Sequence, residues 1–256
     1  MGRVFYGSLA LGWRGSARHW RRLEILHLTL SALALPLVTS VHSIVGLDFA
    51  ASLMPGWQET IFPPYFVVGA LYSGFAMVLL LTILVRWGLQ LKSVITTEHF
   101  DAMAKIIRMG SIIMTYSYAT EWFIAWYSGG HADRNLVAYM FKGDYALLYW
   151  LLLFCNCLFP QTLWLRPIRR SVTALAVIAI LILVGMWLER ILIIWNTLSH
   201  GYMPSLWRLF HPTLSDWSLL IGPFGVFAFM FLLFIRLIPT VSIYEMRELF
   251  RREGSA

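Results

Sequence analysis

Five ionisable side chains stand inside or at the rim of long apolar runs: His42, Asp48, Glu121, Glu189 and Arg190. Charge is costly in hydrocarbon, so such groups usually face a bundle interior, find a partner there and mark function. A carboxylate can take up and release a proton, and a histidine titrates near neutral pH. Tyr72 and Asn156 lie near mid-depth of their own runs and extend the polar set inward. His42, Asp48, Tyr72, Glu121, Glu189 and Arg190 therefore read as proton-relay candidates. The competing reading is structural: an ion-pair network that fixes helix packing, with His42 a hydrogen-bonded packing residue and Asp48 a helix-end cap. Glu189 and Arg190 are neighbours in sequence, so on a helix they point about 100° apart. Each can then pair across to a different helix.

Other chemistries lack their residues. Cys155 and Cys157 are the only cysteines, too few for an iron–sulfur cluster and without the CxxC spacing of a metal site. Only His27 and His42 fall in apolar runs, at opposite ends of the same one, so no haem is expected. No P-loop, GxGxxG, GxSxG or HExxH motif occurs. The expectation is a chain that binds no metal and carries no redox centre.

The elements that must position these groups follow from composition. Of 256 residues, 59% are hydrophobic and only 13% charged, which excludes a disordered chain and argues against a soluble globule. Six apolar stretches, at about 23–47, 63–85, 106–127, 145–165, 171–196 and 217–238, are each long enough to cross a bilayer. The fold class is thus an all-α integral membrane protein. Its organisation is a basic segment (1–22), a six-helix transmembrane domain (23–240) and a short tail (241–256). Pro63-Pro64 opens the second helix, Gly129-Gly130 closes the third, and Pro167 separates the fourth from the fifth. The third helix starts early, near Thr97-Glu98, with Lys105 and Arg108 snorkelling to the interface.

The net charge of +7 is mostly topology. Of 20 Lys and Arg residues, 16 fall on one side of the six spans and three on the other. The basic side is cytoplasmic by the positive-inside rule, which puts both termini there and leaves little for nucleic acid. The outer connections, 48–62, 128–144 and 197–216, read as loops rich in Trp, Tyr, Pro and Gly. Trp57, Tyr139, Tyr202, Trp207 and Trp217 suit an interfacial aromatic belt or a partner protein. The five ionisable groups lie about 6 to 20 Å outward of their span centres, at 1.5 Å per residue.

Several motifs resemble membrane subunits of the NrfD, or polysulfide-reductase, type. They are Val41-His42-Ser43-Ile44-Val45 with Leu47-Asp48-Phe49-Ala50, Pro55-Gly56-Trp57, and Thr60-Ile61-Phe62-Pro63-Pro64-Tyr65-Phe66-Val67. Glu121-Trp122-Phe123-Ile124-Ala125-Trp126-Tyr127, Gly185-Met186-Trp187-Leu188-Glu189-Arg190 and Phe234-Ile235-Arg236-Leu237-Ile238-Pro239 continue the likeness. Within that family the chain looks most like the larger NrfD-like membrane protein of bacterial alternative complex III, in its C-terminal part. Such proteins have about eight to ten spans, in two four-helix bundles with flanking helices. The chain resembles the second bundle, and no quinone ligand carries over.

The resemblance implies a subunit of a quinol-oxidising respiratory complex in a bacterial cytoplasmic membrane. Quinone or menaquinone would be the substrate of the complex, and an extracytoplasmic iron–sulfur subunit and haem-carrying partners would hold the redox centres. It also makes the outer-half polar groups candidates for proton translocation. A stand-alone transporter or channel and a purely structural scaffold are the alternatives.

Overall fold

A computed structural model of the chain describes residues 7–8, 10, 12–53, 61–127, 130–200, 203, 205, 207–238 and 246. Trp57, Tyr202, the Gly129 half of the expected third-helix stop and almost all of the 241–256 tail lie outside the described residues. The regular structure of the described residues is all helix, without strands. In chain order the helices are α1 (Ala17–Ala50), α2 (Phe62–Gly88), α3 (Thr97–Tyr127), α4 (His131–Lys142) and α5 (Ala146–Leu153). A π-helical segment (Phe154–Leu158) and a 3-10 segment (Phe159–Trp164) continue α5. Then come α6 (Arg166–Arg170), α7 (Val172–Ser199) and α8 (Leu214–Leu237).

The chain divides into two compact units, one of residues 1–36 with 211–256 and one of residues 37–210. The second holds the core. In it α2 buries Phe62, Tyr65, Gly69, Tyr72, Ala76 and Leu79, a stripe of three- and four-residue steps. That is the spacing of one helix face. α3 and α7 bury matching stripes, Phe100 to Ala125 and Leu175 to Ser199, and the three helices pack on one another with α5 against α7. Pro63 and Pro64 occupy the first turn of α2, where missing N–H groups cost nothing. In the first unit, α8 begins at a capping box in which Thr213 and Asp216 bond each other's backbone N–H groups.

Five helical stretches are long and apolar enough to cross a membrane: 17–50, 62–88, 146–164, 172–199 and 214–237. α3, the sixth expected span, is long enough at 31 residues. Its composition is less apolar, because its buried stripe includes Ser111, Ser117 and Tyr118 and it carries Glu121. Such a helix lines a polar interior.

Two local expectations are revised. The 128–144 connection contains α4, an amphipathic helix whose first N–H groups are served by Asp133: its carboxylate accepts from the Gly130 N–H at 3.2 Å. Lys105, 55% exposed, pairs with Asp101 at 2.6 Å, and Arg108 lies over the Trp164 ring at 4.2 Å, contacts compatible with ends that reach an interface. The fourth expected span is not one α-helix. Pro160 has no N–H for the Asn156 carbonyl and its ring crowds that oxygen. The chain unwinds into the π segment, and two side chains serve its carbonyls: Tyr72 donates to Asn156 O at 3.2 Å and Gln161 to Cys157 O at 3.0 Å.

Candidate functional site

The stripe of α7 carries Glu189 into the core seven residues before Asn196, so the two share a face, and both are buried. α3 brings Ser117, Tyr118 and Glu121 to the same level, and α2 brings Tyr65. Together they line a narrow cavity of about 40 Å³, closed on its apolar side by Phe62, Met140, Leu152 and Leu192. A space of that size with several polar partners suits a few waters.

Hydrogen bonds join the cavity to mid-depth. The Tyr118 hydroxyl donates to Glu189 Oε2. Asn156 Nδ2 donates to the Tyr118 oxygen at 3.2 Å, and Tyr72 donates to the Asn156 carbonyl. Two close helix approaches make this geometry. A Cβ on Gly185 would collide with Asn156 Oδ1, and one on Gly110 would stand 2.9 Å from the Tyr72 ring. Only glycine lets α7 and α3 come this near. An amide cannot hold an extra proton at ordinary pH. Asn156 therefore fixes Tyr118 in place, and the groups able to exchange protons are the acids, the tyrosines and any water between them.

Glu189 is 3% exposed, and its Oε1 faces Arg190 Nη1 at 3.3 Å. Neither of those two atoms makes an aligned hydrogen bond, so this is a charge contact only. The guanidinium lies over the Phe66 ring at 4.6 Å and the Tyr65 ring at 5.9 Å, which adds cation–π attraction. Adjacent in sequence, the two residues pair with each other through long side chains while Glu189 also reaches across to α3.

The six sequence candidates separate. Glu121 and Glu189 line the narrow cavity, and Arg190 pairs with Glu189. Tyr72 joins through Asn156. His42 is half-buried, with Nδ1 2.8 Å from the Val38 carbonyl, and lines a different hollow with Arg190. Asp48 is exposed near the end of α1 and lines neither space. Tyr65, Ser117, Tyr118 and Asn196 were not singled out by the sequence. Their signal was phase: Tyr65 precedes Tyr72 by seven residues, and Asn196 follows Glu189 by seven.

Among the described residues no cluster of His, Cys, Asp and Glu is arranged to hold a metal ion. The helices and the buried acid define a multi-pass membrane protein with a polar site inside its bundle. The chain belongs to the NrfD family: a family model described as polysulphide reductase, NrfD, matches residues 7–199. That family comprises membrane subunits of quinone-interacting redox complexes, partnered by iron–sulfur subunits. No curated protein matches the chain.

Proposed function

We propose that this chain supports quinol oxidation within a respiratory membrane complex like alternative complex III, and that the acids of its core cavity carry protons toward the outer side. The observation that supports this reading best is the narrow cavity holding Glu121 and Glu189, with Tyr118 bonded to Glu189. In this reading electrons pass to iron–sulfur clusters in an extracytoplasmic partner and on to haem in other subunits. The chain itself carries no redox centre. The membrane is a bacterial cytoplasmic one, with both termini on the cytoplasmic side, which accords with the 16-to-3 distribution of basic residues.

Within the cavity Glu189 is the natural acceptor. It is buried, hydrogen-bonded on one oxygen and charge-balanced on the other. Glu121 lines the same space and is half-buried, so it faces the entry or exit of the path. The tyrosine hydroxyls of Tyr65 and Tyr118 can hand a proton between an acid and water without leaving their positions.

Mild-detergent purification through a tag on this chain tests the assembly. Co-purifying iron–sulfur and haem subunits with quinol-oxidising activity are expected. A chain that purifies alone and moves a solute in vesicles would instead be a transporter.

A further inference from the structure

Trp164 is exposed at the end of the 3-10 segment, and the Arg108 guanidinium of α3 lies over its ring at 4.2 Å. Stacking uses the face of a guanidinium, while its N–H donors lie in its plane and stay available to an anion. Among the described residues the acid that pairs on this part of α3 is Asp101, already shared by Lys105 at 2.6 Å and Arg169 at 2.9 Å. Glu98, in the first turn of α3, stands about 15 Å from Arg108 along the helix axis. Arg169 also donates to the Leu163 and Trp164 carbonyls at 2.9 and 3.1 Å, which braces Trp164 beside α3. Arg166, two residues beyond Trp164, is exposed, and neither it nor Arg108 forms an ion pair with a described residue. Two cations without a carboxylate thus flank one exposed tryptophan.

Depth and helix phase narrow the ligand. The third span starts at about 106 and the fourth ends at about 165 in the sequence, so Arg108 and Trp164 meet at a membrane boundary, the level of lipid headgroups. At 100° per residue Lys105, Arg108, Ile112 and Tyr116 fall within about 80° of one another around α3. Lys105, Ile112 and Tyr116 are exposed, so this strip carries cations at the boundary and apolar or aromatic side chains running inward. A soluble anion would match the cations and leave the inward part of the strip without a partner. A zwitterionic lipid brings its own cation to the phosphate. We propose that Arg108, Lys105 and Arg166, grouped around Trp164, hold the phosphate of an anionic phospholipid whose acyl chain lies along Ile112 and Tyr116. Clusters of basic residues at the membrane surface attract such lipids by about 1 kcal/mol per Lys or Arg, a factor of about five. The proposal stands apart from the redox reading of the chain.

The test uses the full chain, with any subunits that co-purify, in phosphatidylcholine nanodiscs. One preparation contains a phosphatidylglycerol with a photoreactive diazirine in its acyl chain, and a second contains the matching phosphatidylcholine probe. Labelled peptides are identified by mass spectrometry. Label on the stretch 109–116 is expected to be at least about fivefold stronger from the phosphatidylglycerol probe. Arg108→Gln is expected to lower that ratio about fivefold. Arg166→Gln, a change at an exposed site outside the packed core, is expected to lower it in the same direction while the protein still folds. Excess unlabelled phosphatidylglycerol should compete, and inorganic phosphate at constant ionic strength should not. Equal label from the two probes, a ratio unchanged in both variants, or competition by inorganic phosphate overturns the proposal, the last by making a soluble anion the ligand.

Discussion

Glu189 meets Tyr118 through one oxygen and Arg190 through the other, and this division decides what substitutions there do. Glu189→Gln keeps a partner for Tyr118 but leaves the Arg190 charge uncompensated. Arg190 is 29% exposed, so the expected stability loss is about 1–3 kcal/mol, below that of a fully buried pair. The double variant Glu189→Gln with Arg190→Gln should recover most of that loss in a thermal melt of the assembly. Its failure to do so would mean that the pair's geometry, more than its charge, stabilises the bundle. Gly185→Ala is expected to be costlier than its size suggests. Its methyl would collide with Asn156 Oδ1, in backbone-to-side-chain contact between helices, and about 1–3 kcal/mol of melting stability should be lost. Glu189, Arg190 and Glu121 were legible because charge is conspicuous in an apolar run. Tyr118 was not, since a tyrosine in a membrane helix reads equally as an interfacial anchor, and only the helix crossing puts its hydroxyl on Glu189.

The elements divide by whether local sequence or tertiary contact sets them. α2 and α7 were readable from their apolar runs, and α2 also from Pro63-Pro64; the cap of α7, where the Ser171 hydroxyl accepts from the Ala174 N–H, came with the structure. The π segment was not. Pro160 announces a fault, but the unwinding of Phe154–Leu158 is stabilised by Tyr72 on another helix. Pro160→Ala should restore an N–H to the Asn156 carbonyl and release Tyr72. Quinol oxidation should fall although helix content, by circular dichroism, holds or rises. At the far end of α3, before its expected span, Asp101 binds Lys105 at 2.6 Å and Arg169 at 2.9 Å. Hydrogen bonds from these two cations, Lys105 first, hold its carboxyl down from 3.8 to about 2. A depressed carboxyl stabilises the fold above its unfolded value and loses that contribution as pH falls toward the folded one. Asp101→Asn should therefore lower the melting temperature at neutral pH. The gap to wild type should close as pH falls from about 4 toward 2; a gap that stays constant would mean the effect is not charge.

The whole molecule is built to sit in lipid. α1 buries only Gly46 and α8 buries none of its residues, while their Leu, Ile, Val and Phe side chains are exposed. In water such surfaces would drive aggregation; in a bilayer they are the solvent-matched face. Among the described residues Glu189 is the one charged side chain that is fully buried, which is what sets the cavity apart in so apolar a chain. In the proposed function this cavity moves protons. Reconstituting the assembly in liposomes with an external pH dye, and counting protons released per quinol oxidised, tests it directly. Glu189→Gln is expected to lower that ratio, and Glu121→Gln to lower it also, at matched electron flux. A ratio equal to wild type in both variants would contradict the account and leave the acids as packing groups.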